Sequence, residues 1–233
     1  MASDLFSGET AAPRFYGRRK GKPLRVMARS LIETRLADVT VARPSDGACL
    51  ELSTLFGHAP SALWLEVGFG GGEHLAWQAA QHPDVSLIGG EVFLNGIASL
   101  LGHLDRNGAT NVRVYPDDIR HLFPCLPDGC LDRVFVLFPD PWPKKRHADR
   151  RFIGPDNLAI LSRLMRSGAE LRVASDDPTY QNWAEAQLFA HPDFVPVDGL
   201  DPLVKPVDWP ESRYERKALD AGRLPRYYRF LRR

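Results

Sequence analysis

The fold of this chain is decided by a glycine-rich turn, Leu65-Glu66-Val67-Gly68-Phe69-Gly70-Gly71-Gly72-Glu73. An apolar run leads into the turn and a segment with helical spacing follows it. Glycines at a strand-to-helix turn permit a tight turn and let the backbone approach a ligand closely. The turn predicts the start of an α/β sheet with a candidate ligand site beyond the strand ends, although many α/β proteins have such a turn for structural reasons alone.

Downstream of the turn, short apolar runs alternate with amphipathic segments. We predict strands over 62–67, 85–90, 112–115, 133–138 and 171–174, and helices over 73–81, 94–105, 156–166 and 180–190. Residues 227–231 would form a last edge strand. Residues 191–212 hold five prolines and would form an irregular connection. Alternating strands and helices indicate a mostly parallel sheet with helices on both faces.

Basic residues are concentrated in three segments of this 233-residue chain. The formal net charge is only +1, but 20 of the 30 basic residues and three of the 29 acidic ones lie in residues 14–29, 144–151 and 213–233. A protein with its charge sorted in this way can offer a basic surface to a polyanion, while each cluster alone is equally well explained as a solvated arm or loop. Residues 1–30 are basic and unpatterned, which predicts a flexible basic N-terminal arm over 1–30 and a single domain over 31–233.

Composition disfavours several classes of protein. The chain has no apolar run long enough to span a membrane, and its first ten residues lack the basic leader and apolar run of a signal peptide. Its three cysteines form no paired framework, and no Cys/His set has metal-ligand spacing. We therefore expect a cytoplasmic protein without a membrane or metal partner.

Acidic residues lie at the ends of three successive predicted strands. Glu66 directly precedes the glycine turn, Glu91 follows the second strand and Asp118 follows the third. A carboxylate at Glu66 would repel a pyrophosphate, and Glu73 replaces the third glycine of a dinucleotide fingerprint. Both features disfavour NAD and favour a cationic nucleoside such as S-adenosylmethionine. Glu91 is placed to accept hydrogen bonds from both ribose hydroxyls, and Asp118 from an adenine amino group.

The most informative stretch follows the fourth predicted strand: Phe138-Pro139-Asp140-Pro141-Trp142-Pro143-Lys144-Lys145-Arg146-His147. Three prolines fix the backbone as it leaves the sheet. Asp140 would face the cofactor, with Trp142 available to stack on a base and residues 144–151 available to phosphates. The alternative is a rigid turn followed by a solvated basic loop.

This stretch is similar to the signature of the bacterial tRNA (guanine-N7)-methyltransferases. Matches continue through the glycine turn and in Arg150-Arg151-Phe152, Ala174-Ser175-Asp176 and Ser212-Arg213-Tyr214-Glu215-Arg216-Lys217. The resemblance spans roughly residues 14–230. It implies a Rossmann-like class I methyltransferase fold with a seven-stranded sheet. It also implies transfer of a methyl group from S-adenosylmethionine to N7 of a guanine in tRNA, at position 46 of the variable loop, by a monomer or homodimer.

The resemblance also implies roles for individual residues. Those expected to contact the cofactor are Glu66, Gly68, Gly70, Glu91, Asp118 and Asp140, with Asp140 catalytic. Those expected to contact the substrate are Lys144, Asp176, Ser212, Arg213, Tyr214 and Glu215. Those expected to contact RNA are Arg146, His147, Arg150 and Arg151. The chain departs from the family at Asp149, where a basic residue is usual, and at Ser212 and Tyr214, where threonine and phenylalanine are more usual.

The implied chemistry needs no general base, because guanine N7 carries a lone pair and no proton. Catalysis would come from positioning the base and from a carboxylate, Asp140 or Asp176, that stabilises the positive charge developing on the guanine. Three alternatives stay open: a non-catalytic RNA-binding protein, an NAD-dependent oxidoreductase, and a methyltransferase of small molecules. The retained acids argue against the first, Glu66 and Glu73 against the second, and the basic clusters against the third.

Overall fold

A computed structural model describes residues 16–17, 19, 21–45 and 48–233. Seven strands form one sheet: β1 (Leu63–Val67), β2 (Ser86–Gly90), β3 (Val112–Tyr115), β4 (Leu131–Leu137), β5 (Met165–Ser175), β6 (Phe194–Pro196) and β7 (Arg226–Arg232). The α-helices of the described part are α1 (Val26–Val39), α2 (Leu52–Phe56), α3 (Glu73–Gln81), α4 (Leu94–Asn107), α5 (Pro155–Leu164), α6 (Pro178–Ala190) and α7 (Arg213–Asp220).

The sheet has the strand order β3-β2-β1-β4-β5-β7-β6. The first five strands in that order are parallel, whereas β7 runs antiparallel to both β5 and β6. The order reverses between β1 and β4, and ligands bind at such a switch point in open α/β sheets. The structure confirms the prediction of a mostly parallel seven-stranded sheet with helices.

Local signals explain the element boundaries. Helix α3 begins directly after Gly72, and α4 ends at Gly108, whose φ of 69° closes the helix in a left-handed cap. Helix α5 has Pro155 in its first turn after an extended Gly154, as a proline start requires. The predicted helices over 73–81 and 94–105 therefore match the structure within two residues.

Side chains from the two faces of the sheet belong to two buried clusters. Leu65, Val134 and Val173 point to the face covered by α5 and α6. Trp64, Leu87 and Phe135 point to the opposite face and pack with the apolar sides of α3 and α4. Because residues of the central strands are buried on both faces, these strands read as continuous apolar runs in the sequence.

Three expectations about local structure are wrong. The edge strand is β6 and not the C-terminal strand, because β7 pairs with both β5 and β6. Residues 191–212 are not wholly irregular, since they contain this short strand, which ends in proline as an edge strand can. Helix α5 stops at Leu164 because Met165 already pairs with Leu131 of β4.

The N-terminal arm is described only in part. Residues 1–15, 18 and 20, which include Arg14, Arg18 and Lys20, lie outside the described residues. Helix α1 begins at Val26, so the domain boundary placed at residue 30 falls inside this helix.

Candidate active site

A cavity of about 450 Å³ lies beyond the carboxyl ends of β1, β2, β3 and β4. Small-molecule sites usually have volumes of this order. Its wall includes the glycine turn, the residues that follow each of these strands, Tyr214 from α7 and Tyr16 from the N-terminal segment. The sequence-predicted residues in the lining are Gly68, Gly70, Glu91, Asp118, Asp140, Arg150 and Tyr214.

The turn after β1 requires glycine at several positions. Gly68, Gly70 and Gly72 have φ angles of 65°, 58° and 80°, in the region that side chains disfavour. At Gly70 space is a second requirement, because an added Cβ would lie 2.7 Å from Cε2 of Tyr214. The backbone of the turn therefore forms the cavity wall directly, and the Tyr214 ring rests against it.

Glu91 lies at the back of the cavity with most of its hydrogen-bonding capacity in use. Its Oε1 accepts from the backbone N–H groups of Val92 and Phe93, and its Oε2 from that of Gly70, each at 2.8 Å. A carboxylate offers about four acceptor positions, so one remains for a ligand, fewer than the two ribose hydroxyls expected. Burial raises the pKa of Glu91; the three N–H groups oppose this, and the nearby charge of Asp140 adds to it.

Glu66 lies behind the turn and does not line the cavity. It is only 2% exposed, and its Oε2 lies 2.7 Å from Nδ1 of His74. The amide Nε2 of Gln78 lies 3.1 Å from Nε2 of His74. If Gln78 donates to Nε2, Nδ1 of His74 carries the proton and donates to Glu66. The carboxylate expected to face a cationic ligand therefore has a buried histidine as its partner.

Asp118 lines the cavity, but its carboxylate is paired. Arg120 Nη2 lies 2.6 Å from Oδ2, and the backbone N–H of Arg120 donates to Oδ1 at 3.1 Å. This capping starts a short 3-10 helix, Ile119–His121. Any hydrogen bond from an adenine amino group would share the carboxylate with this arginine.

Asp140 lies in a strained loop at the cavity. Phe138 and Trp142 on either side of it have φ angles of 50° and 43°, and each is followed by proline. Bulky residues in this region cost about 1–3 kcal/mol each and persist only where the surroundings enforce them, typically at functional sites. Asp140 is exposed, and no hydrogen bond or ion pair is recorded for it among the described residues. Its carboxylate is therefore available to a ligand.

Arg151 enforces the shape of this loop. It is only 7% exposed, and its guanidinium donates to the carbonyl oxygens of Pro141 and Trp142 and stacks at 4.8 Å on the ring of Trp183. Its position contradicts the expected RNA contact, because the charged group faces the loop interior.

The basic loop after Trp142 forms a 3-10 helix, Lys145–Arg150. Lys144 and Arg146 are exposed, and the ring of His147 contacts that of Trp142 at a centroid distance of 5.8 Å. Desolvation and the charges of Arg150, Arg146 and Lys144 lower the pKa of His147. The loop is thus electropositive while His147 itself is neutral at pH 7.

The C-terminal segment combines structural and cavity-lining residues. Ser212 caps α7: its hydroxyl accepts from the Glu215 N–H at 3.2 Å, and the Glu215 carboxylate accepts from the Ser212 N–H at 3.4 Å. Glu215 is buried and also accepts from Lys205 Nζ at 2.7 Å. Both therefore hold the helix, which presents Tyr214 to the cavity. The exposed guanidinium of Arg213 lies 5.3 Å from the centre of the Tyr214 ring.

Asp176 lies outside the cavity lining. Its Oδ2 accepts from Arg223 Nε at 2.6 Å, and its side chain is 20% exposed. This ion pair competes with the proposed contact to a guanine, so Asp140 is the better placed of the two candidate carboxylates.

Two residues of the site were not found from the sequence. Tyr16 lines the cavity although it lies in the segment read as a mobile arm, and His74 pairs with Glu66. The helix-capping pattern Ser-x-x-Glu at 212–215 was a usable signal for α7. No local sequence pattern predicts the contacts of Tyr16 or His74, because these contacts form only when the chain folds back on itself.

No described helix is long and apolar enough to cross a membrane, and the described residues contain no group of three or more His, Cys, Asp or Glu arranged to hold a metal ion.

Comparison with known proteins gives consistent results. The profile of a family described as "Putative methyltransferase" matches residues 60–225. A tRNA (guanine-N(7)-)-methyltransferase of Paramagnetospirillum magneticum is 56% identical and covers 100% of this chain and 99% of its own length. The protein of the same name from Rhodospirillum rubrum is 51% identical, covering 96% and 89%. Among solved structures, the 16S rRNA methyltransferase KamB aligns with a TM-score of 0.55 at 17% identity, covering 83% of this chain and 96% of that one, which is a likeness of fold.

Proposed function

The chain belongs to the family of the tRNA (guanine-N(7)-)-methyltransferases, and from this premise we propose that it methylates N7 of guanine 46 in the variable loop of tRNA. S-adenosylmethionine is the methyl donor of this family. The observation that supports the site best is the position of Asp140. Its carboxylate lies at the cavity next to Trp142 and the basic loop, and no partner is recorded for it among the described residues. A tRNA substrate also supports a cytoplasmic location.

The cavity lining fits a cationic nucleoside. The backbone at Gly68 and Gly70 forms one wall, Glu91 has one acceptor position left, and Asp140 adds a second negative charge. S-adenosylmethionine would supply an electrophilic methyl group on a positively charged sulfur. The two carboxylates would stabilise that charge in the bound state.

The residues of the chain then act by positioning and by electrostatics. Guanine N7 has no proton to remove, so no residue needs to act as a base. Asp140 would accept a hydrogen bond from guanine N1–H or its amino group and stabilise the positive charge that the ring acquires. Trp142 would stack on the base. Arg146, His147, Arg150 and Lys144 would contact the RNA backbone, and Arg213 and Tyr214 would contact the substrate.

The proposal is tested by incubating the protein with methyl-labelled S-adenosylmethionine and bulk tRNA that lacks the modification. We expect label in 7-methylguanosine, mapped to position 46. A matched pair of transcripts, one with guanine and one with adenine at position 46, provides the control, and only the first should be labelled. Label at another position, or none in either transcript, would contradict the proposal.

A further inference from the structure

Tyr16 belongs to a segment that is attached to the rim of the cavity. Arg19 Nη1 pairs with Asp117 at 2.8 Å, the backbone N–H of Leu94 donates to the carbonyl of Arg19 at 3.3 Å, and Asn95 Nδ2 donates to the carbonyl of Lys22 at 3.0 Å. These contacts hold Arg19 and Lys22 at the rim. Tyr16 and Gly17 consequently form part of the cavity wall.

The ring of Tyr16 stacks on an arginine from a different segment. The guanidinium carbon of Arg150 lies 4.2 Å from the centre of the Tyr16 ring and 5.1 Å from that of Trp142. The two rings meet edge to face, with centroids 6.2 Å apart. An arginine held by stacking keeps the N–H groups of its edge free to bind an anion.

Within the part of the chain that the structure describes, the positive charge of Arg150 is not compensated by a carboxylate. The cavity lining contains two arginines, Arg120 and Arg150. Arg120 pairs with Asp118, whereas no described carboxylate lies within ion-pair distance of Arg150. The exposed Lys144 and Arg146 add positive charge nearby, and this charge, after desolvation, contributes to the lowered pKa of His147. This environment suits a phosphate group, which an arginine binds through two parallel hydrogen bonds.

We propose that Tyr16 is a positioning residue which, with Trp142, holds Arg150 at the cavity mouth, where Arg150 binds a backbone phosphate of the RNA strand that carries the target guanine. This inference rests on the proposed function. Tyr16 acts through Arg150, and its ring is the part of the side chain that makes this contact. The N-terminal segment is thereby part of the site that binds the tRNA.

The test compares steady-state kinetics of tRNA methylation by wild type, Tyr16→Ala, Tyr16→Phe, Arg150→Ala and the double alanine variant. Loss of a cation–π contact corresponds to about a 2- to 30-fold effect. We expect Tyr16→Ala to raise KM for tRNA by that factor with little change in kcat, and Tyr16→Phe to behave as wild type. In the Arg150→Ala background, Tyr16→Ala should have less than about a twofold further effect.

Control measurements separate this role from others. Phe189→Ala removes an exposed aromatic ring of α6 outside the cavity lining and should leave KM unchanged. The affinity for S-adenosylhomocysteine is measured in Arg150→Ala, where a value like that of wild type is expected if Arg150 binds the RNA. Weakened binding in this variant would assign Arg150 to the carboxylate of the cofactor and overturn the inference. The inference is also overturned if Tyr16→Phe raises KM for tRNA as much as Tyr16→Ala does. It is overturned as well if the effects of the two alanine substitutions on KM are additive in the double variant. Failure of wild type to methylate tRNA would instead contradict the proposed function.

Discussion

At the scale of single residues, Glu91 is an acid whose burial opposes its charge. Its pKa is raised above the ordinary 4.5, so in the folded protein it takes up a proton at higher pH than in the unfolded chain. Its ionisation therefore destabilises the folded protein as the pH rises from 4.5 through the raised pKa. In the proposed function, the ionised carboxylate would accept a hydrogen bond from a ribose hydroxyl.

From this we predict that binding of S-adenosylhomocysteine weakens as the pH falls from about 8 to 4.5, because Glu91, whose pKa is raised above 4.5, becomes protonated within this range. Calorimetric titration over this range measures the effect. Glu91→Gln should bind more weakly throughout and lose the pH dependence, since glutamine does not titrate. A wild-type affinity that stays constant over the range would contradict the prediction.

The second prediction concerns Asp140, which is exposed and has no recorded partner in the described part of the chain. Asp140→Ala should reduce kcat by about 10²–10³-fold, the usual effect of removing one electrostatic group from a transition state. Its thermal midpoint should stay close to that of wild type. Asp149→Ala, in the same loop but outside the cavity lining, is the matched control and should keep its turnover. Near-normal turnover of Asp140→Ala would refute the catalytic role.

The sequence was a better guide to where acids lie than to what they touch. Glu91, Asp118 and Asp140 line the cavity as expected from their positions after strands. Glu66 follows the same rule but turns towards His74, the second residue of α3. Side-chain direction at a strand end depends on partners from other segments, and the pattern of a single segment does not contain them.

At the scale of elements, the loop from Phe138 to Arg151 is held in an unfavourable conformation by its own last residue. Arg151 binds the carbonyls of Pro141 and Trp142 across the turn. Arg151→Met keeps the apolar bulk and removes these hydrogen bonds, which should lower the free energy of unfolding by about 1–3 kcal/mol. Urea denaturation measures this. Lys145→Met, at an exposed position of the same loop, should unfold like wild type, and equal stability of both variants would contradict the assignment.

Glycine or proline marks the helices that were predicted, although the short α2, which ends at Gly57, was not predicted. Helix α3 begins directly after Gly72, α4 ends directly before Gly108, and Pro155 starts α5. Helix α1 has no side-chain cap and no buried residue, so it lacks a sequence signal and depends on packing against α4. Strand β6 has only three residues, too few to show an alternating pattern.

At the scale of the whole molecule, the basic surface is smaller than the charge clusters of the sequence suggest. In the C-terminal cluster, Arg216, Arg223, Arg226 and Arg229 each pair with a carboxylate. The loop 144–151 retains more unpaired charge, since Lys144 and Arg146 are exposed without a recorded carboxylate partner in the described chain. A count of charges along the sequence does not show which charged residues form ion pairs in the folded protein.

We accordingly predict that tRNA affinity falls steeply with salt and that the loop 144–151 accounts for much of the slope. Removing one phosphate contact lowers the slope of log K against log salt by about one. Arg146→Ala should show this reduction in filter-binding titrations, whereas Arg226→Ala, whose partner is Glu185, should not. Equal slopes of log K against log salt for wild type and Arg146→Ala would show that this arginine does not contact a phosphate of the tRNA.

The contact between Tyr214 and Gly70 joins two distant parts of the chain. With the backbone as it is, a methyl group at position 70 would lie 2.7 Å from Cε2 of the Tyr214 ring. The φ of 58° at Gly70 disfavours a side chain there as well. Substitutions in the tail that shift the Tyr214 ring would change the wall of the cavity, whereas glycine should be retained at position 70 whichever aromatic residue occupies position 214.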